Sequence, residues 1–393
     1  MSSPHGTSSP QGIRVAVAGF GWMGRVHTQA YARIRHHYPD LALAPTLATV
    51  ADEVPGRAEE AAAQFGFEGS TTDWHDIEAD RAIGAVSITA PNFLHRSIGT
   101  AMAEAGKHIW IEKPVGLSAD DARAVALSAD KAGVQTSVGF NYRNAPAVEE
   151  AKALIDSGEL GTVTHARFRF FSDYAAHPDG ALSWRFERAR GGNGVLGDLA
   201  SHGADLLWYL LADIDSLVAD TAVFVPQRAK PLGATSGHAL ATGGELGPVE
   251  NEDFVSSQIR LASGARATLE ASRVSVGEQN AYGFEIHGTK GAVFWDFRRL
   301  GELAVSLGDR YQDQPVSTIY VGPKQGEYGA FQPGSASSMG YDDLKVIEAE
   351  RFLRSIAEGK PIGATVWDAV RSAQVLDAMT ESVDSGRWVA PGA

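Results

Sequence analysis

The sequence predicts an α/β chain in two parts: first a doubly wound parallel sheet, then an α+β domain with a large open, mostly antiparallel sheet. Two observations carry this. Up to residue 143, short apolar runs alternate with helical stretches, the grammar of strand–helix–strand units and of parallel pairing. Beyond it, longer runs alternate apolar with polar residues, as in Ala265-Arg266-Ala267-Thr268-Leu269-Glu270, and mark a sheet with two unlike faces.

Residues 14–18 form the first strand and 25–33 a helix. Strands at 47–51, 85–89, 108–111 and 135–139 are separated by helices at 56–65, 95–105 and 118–132, the last with Ser118 as N-cap. Residues 73–76 start a short turn or helix. After a helix at 147–157 come strands at 162–171, 216–224, 253–261, 265–273, 282–287 and 292–297, with Ser263-Gly264 as a hairpin turn. Helices at 199–211, 342–357 and 366–385 cover this second sheet. Residues 226–248 and 322–340, rich in small residues and proline, read as surface loops. The expected division is a disordered lead over 1–12, a dinucleotide-binding domain over 13–143 and a substrate-binding and oligomerisation domain over 144–393.

A chain of 393 residues holds two domains of ordinary size. Its net charge of -14 disfavours nucleic acid and anionic membrane, which need a basic face. With no cysteine, disulfides, thiolate metal sites and cysteine nucleophiles are excluded. No run approaches the ~18 apolar residues of a membrane span, and the first residues lack the charged and apolar regions of a secretory signal. The cytoplasm is the expected location by elimination.

The first strand runs into Gly19-Phe20-Gly21-Trp22-Met23-Gly24 and a helix comes next, the context in which G-x-G-x-x-G has meaning. The first glycine permits a tight turn, the second lets backbone approach a pyrophosphate, and the third lets helix and strand pack closely. The helix N-terminus faces the phosphates. A Rossmann-type dinucleotide site is therefore expected. Asp52 ends the second strand, where an acid accepts from ribose hydroxyls and repels a 2′-phosphate, favouring NAD over NADP; Arg57 weakens that preference, and a simple turn residue is the alternative. Thr89-Ala90-Pro91-Asn92 ends another strand at the ligand-binding edge; Asn92 and His95 either contact the cofactor or start the helix.

Glu112-Lys113-Pro114 ends a strand at the same edge and brings an ammonium to the nicotinamide end, where it can hold a hydroxyl and favour its deprotonation. Asp198 and His202 are one helical turn apart and so share a face; a histidine exchanges the proton that alcohol oxidation releases. The same spacing suits Asp198 as an N-cap with His202 packed in the helix. Asn141-Tyr142-Arg143 and Trp184-Arg185-Phe186 supply flat faces beside donors, suited to sugars and equally to packing between domains. No zinc-binding pattern is present.

Together these motifs resemble the Gfo/Idh/MocA family, named for glucose–fructose oxidoreductase and inositol dehydrogenase. The likeness spans the chain after its lead and includes Gly139-Phe140-Asn141-Tyr142-Arg143 and the segment from Phe284 to Gly291. It implies a Rossmann domain followed by an open-sheet domain whose outer face forms dimers or tetramers. It also implies Lys113 as the catalytic lysine, Asp198 as a substrate ligand and His202 as the proton-transferring histidine. Within the family the chain resembles the dehydrogenases of inositols and of levoglucosan (1,6-anhydroglucose). Implied roles toward NAD fall on residues 19–24, Asp52, Thr89, Ala90, Pro91, Asn92, His95, Glu112, Lys113, Asn141, Trp184 and Arg185. Those toward a sugar or cyclitol fall on Lys113, Tyr142, Arg143, Asp198 and His202. Competing readings are an NAD-using glycoside-cleaving enzyme, which forms no net NADH, and a non-catalytic sensor, which has no need of His202.

Overall fold

The computed structural model describes residues 10–211, 213–231, 239–241 and 243–392. Six strands, β1 (Gln11–Ala18), β2 (Leu43–Ala51), β3 (Gly69–Thr71), β4 (Ala85–Ile88), β5 (His108–Ile111) and β6 (Thr136–Val138), form one parallel sheet. Its order is β3-β2-β1-β4-β5-β6. The winding reverses between β1 and β4, so a crevice opens there at the C-terminal strand ends. Helices α1 (Trp22–His37), α2 (Arg57–Phe65), α3 (His75–Ala79), α4 (Asn92–Glu104) and α5 (Ala119–Ala132) alternate with the strands. The inner strands are apolar throughout because both faces are covered: every residue of β4 is buried, as are Ile109, Trp110 and Ile111. Ser118 does cap α5, its hydroxyl accepting the Asp121 N–H.

Several bounds differ from the expectation, with α1 beginning at Trp22 and β2 at Leu43. β1 already begins at Gln11, inside the expected lead, while residues 1–9 of that lead lie outside the described residues. β3 is a three-residue Gly-Ser-Thr edge strand with no apolar run to announce it.

The chain then forms α6 (Pro146–Asp156), β7 (Val163–Phe171), the single turn α7 (Arg188–Gly191), α8 (Ser201–Leu211) and β8 (Ile214–Ala222). A small hairpin, β9 (Gln227–Ala229) with β10 (Leu246–Pro248), occupies the expected loop, part of which (232–238 and 242) lies outside the described residues. Next come β11 (Phe254–Leu261), β12 (Arg266–Ser272), β13 (Ala281–Gly288), β14 (Gly291–Asp296), β15 (Glu302–Leu307) and β16 (Ser317–Tyr320). The eight-stranded sheet runs β16-β15-β14-β13-β7-β12-β11-β8; only β7 and β12 pair in parallel. Alternation sorts its faces. Ala166, Phe168 and Phe170 of β7 and Tyr282, Phe284 and Ile286 of β13 point into the core, and His165, Arg167, Arg169, Glu285 and His287 point outward.

The last two helices, α9 (Tyr341–Glu358) and α10 (Val366–Ser385), do more than cover the second sheet. Val346, Ala349, Phe352 and Leu353 of α9 share an apolar cluster with Val15, Tyr31, Ile34 and Trp110, while Leu344 and Ile347 join the second core. Val366, Ala369 and Val370 of α10 pack on the first unit, and Val375, Leu376 and Met379 on the second. Each helix is apolar on two sides because it is buried on two sides. Among the described residues no helix is long and apolar enough to cross a membrane.

Removal of the Phe352 ring should therefore destabilise the dinucleotide-binding unit, although the residue belongs to the far end of the chain. Phe352→Ala is expected to cost about 3–5 kcal/mol, read as a lower denaturation midpoint for the parallel-sheet unit. A midpoint unchanged for that unit would mean that α9 serves the second sheet alone.

Candidate active site

Each glycine of the first turn has its own reason. Gly19 has φ +90°, and a Cβ there would stand 2.6 Å from the Ala90 Cα. A Cβ on Gly24 would meet the Gly19 carbonyl at 2.5 Å. At Gly21, which caps α1 with no side-chain hydrogen bond, a Cβ would meet nothing of the protein within 4 Å. Open space beside an uncapped helix N-terminus fits a pyrophosphate. Thr89 fastens this turn to the end of β4, donating to the Gly19 carbonyl at 2.5 Å. Phe20 packs edge-on against Phe65 and Phe67, and its N–H donates to Asp52 Oδ2 at 2.7 Å. Asp52 thus braces the turn while its other oxygen accepts the Val54 N–H at 2.9 Å, and Arg57 Nη1 approaches at 3.2 Å. Trp22 is exposed and stacks on Tyr341, whose hydroxyl approaches Met23 Sδ.

The residues expected to carry the chemistry lie where the two units meet. Lys113, just past β5, donates from Nζ to the Asp198 carbonyl at 2.8 Å. Asp198 belongs to a π-helical turn, Leu196–Ala200, that leads into α8. Such a turn holds an extra residue and re-aims the side chains after it, so Asp198 and His202 do not share a plain α-helical face as their spacing predicts. Instead the Asp198 carboxylate accepts from the Tyr174 hydroxyl at 2.8 Å. It is not an N-cap, since Val195 holds that place. The His202 ring lies edge-on to Tyr142, 4.7 Å between centroids, with its backbone carbonyl accepting from the Tyr282 hydroxyl at 2.8 Å. Neither imidazole nitrogen has a hydrogen-bond partner among the described residues.

Burial and mutual charge set the protonation of these groups. Burial lowers the Lys113 ammonium, with Asp198 and Glu112 opposing. His202 is held well below the usual imidazole range by burial and then by Lys113. Burial alone would raise Asp198, but Arg185, Lys113 and the Tyr174 hydroxyl keep it lowered.

The remaining expected residues divide. Trp184 and Arg185 stack on each other at 4.3 Å, with Trp184 edge-on to Phe93 at the start of α4. Arg185 bears electrostatically on both Asp198 and Lys113. Asn92 begins α4 without capping it and donates from Nδ2 to the Gly191 carbonyl. His95 is buried with both ring nitrogens 2.7 Å from carbonyls, those of Pro114 and Ala90, and ties the ends of β4 and β5 together. Pro91 is the N-cap of α4. Asn141 is fully buried and its amide has no protein partner among the described residues. Arg143 is taken by Asp205 with two hydrogen bonds and by Asp368 with a third, which joins α8 to α10. Glu112 likewise points into the protein, toward His27 and Lys345. Tyr174, between the buried Ser172 and Ala175, carries no local pattern that marks it as a carboxylate partner.

An open helix N-terminus beside a lysine and a histidine from separate units suits hydride chemistry on a hydroxyl, the work of nicotinamide-dependent dehydrogenases. Comparison with known proteins narrows the class. Residues 13–140 match the oxidoreductase family, NAD-binding Rossmann fold, and residues 148–294 match the GFO/IDH/MocA C-terminal domain. The chain belongs to the Gfo/Idh/MocA oxidoreductases. It is 37% identical to the levoglucosan dehydrogenase of Pseudarthrobacter phenanthrenivorans over 384 residues, 96% of this chain and 98% of that one. It is 30% identical to the scyllo-inositol 2-dehydrogenase (NAD(+)) of Bacillus subtilis, covering 95% of each. A solved levoglucosan dehydrogenase, in complex with NADH and levoglucosan, superposes with TM-score 0.91 at 35% identity, over 98% of this chain and 100% of that one.

The Tyr174–Asp198 bond yields a direct expectation. A hydrogen bond to a charged group contributes about 1.5–3 kcal/mol, so Tyr174→Phe should lower kcat/KM for the substrate by about tenfold or more while NAD affinity holds. Loss of NAD affinity in equal measure would place Tyr174 outside the substrate subsite.

Proposed function

We propose that the chain oxidises a ring hydroxyl of a pyranose, an anhydrosugar of the levoglucosan kind or a cyclitol to a ketone, with NAD as hydride acceptor. The observation that carries this is Lys113 of the first unit meeting Asp198 of the second, one turn before His202. The likeness to levoglucosan dehydrogenase over nearly the whole chain supports an anhydrosugar among the candidate substrates.

The Gly19–Gly24 turn, the α1 N-terminus and Asp52 would hold the dinucleotide. When bound, its nicotinamide accepts the hydride that leaves the substrate carbon. His202 takes the hydroxyl proton: its buried ring beside Lys113 stays neutral at ordinary pH and is ready as a base. Lys113 donates to the same hydroxyl and favours its ionisation. Asp198, held by Tyr174, accepts from a neighbouring hydroxyl and fixes which carbon is presented. Trp184 offers a flat face to ring C–H groups, and Arg185 a donor beside it. The outward face of the eight-stranded sheet, with Arg167 and Arg169 beside Glu285 and Asp296, suits self-association into a dimer or tetramer. We place the activity in the cytoplasm, where NAD is shared among enzymes.

A screen of inositols, pyranoses and anhydrosugars with NAD and NADP, followed by absorbance of the reduced nicotinamide, tests the reading; no reduction with any of them overturns it. Lys113→Ala and His202→Ala should each lower kcat by about 10²–10⁴-fold with NAD affinity little changed. Equal loss of NAD affinity in both would reassign them to the cofactor. Asp52→Ala should weaken NAD more than NADP, and the opposite ranking would reverse the cofactor preference. Because His202 must be neutral to act as a base, kcat/KM should rise with pH along an acid limb lying below the ordinary imidazole value of 6.5. A limb above that value would exclude His202 as the group it reports.

A further inference from the structure

Behind Lys113 lies a buried charge cluster to which the proposed reaction assigns no part. Glu112 turns inward from the end of β5, and its Oε1 accepts from Lys345 Nζ at 2.5 Å and from His27 Nε2 at 3.0 Å. Lys345, on α9, also donates to Glu348 Oε1 at 2.9 Å, which accepts the Trp110 indole N–H at 2.6 Å. His27 and Lys345 are wholly buried, and the His27 ring stacks on Trp110 at 3.5 Å. His27, Glu112 and Glu348 are close enough to surround a cation, but the Lys345 ammonium already bonds to both carboxylates.

The arrangement is close-fitting. A Cβ on Gly139 would collide with the Glu112 carboxylate, so the chain leaves that side of it free of side chain. Glu112 is bonded directly to Lys113 along the backbone and bears on both Lys113 and His202. An unbalanced carboxylate there would hold protons on both groups. Lys345 offsets that pull on both.

We propose that Lys345 is a positioning residue for the reaction: by holding and neutralising Glu112 from α9, it sets the charge felt by Lys113 and His202 and fixes the strand end from which Lys113 reaches the substrate. This rests on the roles given to Lys113 and His202 above. The charged groups that face Lys113 are Glu112 on its own strand end, Asp198 on the π-helical turn, Arg185 before α7 and Lys345 on α9. Those that bear on His202 are Lys113, Glu112 and Lys345. Lys345 lowers both groups, and Glu112 raises both. The protonation of the cluster agrees: His27 is pushed down to about 4 by burial and stays neutral, donating from Nε2. Burial opposes the charge on Glu112 and on Lys345, but each holds the other ionised.

The test is the sign of two shifts in the acid limb of kcat/KM. Lys345→Met removes the positive charge and should move the limb to higher pH by about half a unit or more. Glu112→Gln keeps the Lys345–Glu348 pair and should move it to lower pH. Lys345→Arg keeps the charge and should leave the limb near its original place. A merely structural role would lower activity in all three without shifts of opposite sign, and a limb that stays put in both charge-removing variants overturns the proposal. Should Lys345→Met fail to fold, Glu112→Gln and Lys345→Arg still decide: a limb unmoved in Glu112→Gln, or displaced in Lys345→Arg, overturns it. Failure of the underlying reading shows separately, as activity retained in Lys113→Ala or His202→Ala.

Discussion

The bond from the Lys113 ammonium to the Asp198 carbonyl is the constraint on which the site depends. It crosses the seam between the parallel-sheet unit and the open-sheet unit, and it is short only if both are correctly placed. The fold meets that demand from several directions. His95 ties the end of β4 to the residue after Lys113. Asn251 donates to the carbonyls of Arg185 and Gly192 and is itself gripped by Arg273, which pairs with Asp253. The guanidinium groups of Arg228 and Arg273 both pack on the Phe186 ring, at 4.4 and 4.6 Å from its centroid, and so hold the end of the Trp184-Arg185 segment.

Buried charges recur at the joints of this molecule: Lys345 with Glu112 and Glu348, Arg143 with Asp205 and Asp368, Arg273 with Asp253. Desolvation offsets most of the attraction in such pairs, so they are weak evidence of stability. Their geometry says more. Lys345 with Glu112 and Arg143 with Asp205 and Asp368 join elements far apart in the chain, while Arg273 with Asp253 locks the neighbouring strands β11 and β12; an ion pair tolerates misplacement less well than an apolar contact does. Asp205, pushed up to about 7 by burial against the pull of Arg143, shows how closely desolvation and pairing are matched. Apolar clusters shared by α9 and α10 hold the units together, while the ion pairs fix their register.

Much of this was legible in the sequence, for identifiable reasons. Strands buried on both faces are apolar runs, and β1, β4 and β5 stand out because nothing else produces Val-Ala-Val-Ala or His-Ile-Trp-Ile between helices. β3 and β16 escape because Gly-Ser-Thr and Ser-Thr-Ile-Tyr are half-exposed edge strands held by pairing alone. β15 does alternate, with Leu303 and Val305 inward, and closer attention to period would find it. Lys113, Asp198 and His202 stand out in the sequence because each ends a strand or opens a helix within a compact motif. Arg143 stands in the same kind of motif yet serves an ion pair, since its partners lie 62 and 225 residues away. Lys345 is the reverse: in Asp-Asp-Leu-Lys it looks like a solvated helix lysine, and only the return of α9 to the parallel sheet buries it.

The partner of Lys113 bears on the chemistry itself. Had the ammonium rested on the Asp198 carboxylate, a substrate would have had to break a charged pair to reach it, and the lysine charge would already be cancelled. Resting on a neutral carbonyl, the ammonium can exchange that bond for one to a hydroxyl of similar strength. In the proposed reaction its charge would favour loss of the hydroxyl proton. The Asp198 carboxylate, drawn aside to Tyr174, is left as an acceptor for a second hydroxyl. With Lys113 and Arg185 as cationic donors, Asp198 as an anionic acceptor and His202 as a neutral imidazole, the proposed set suits a neutral vicinal polyol. The Asp198 carbonyl and side chain are divided within the π-helical turn: the carbonyl holds the lysine and the carboxylate is held by Tyr174.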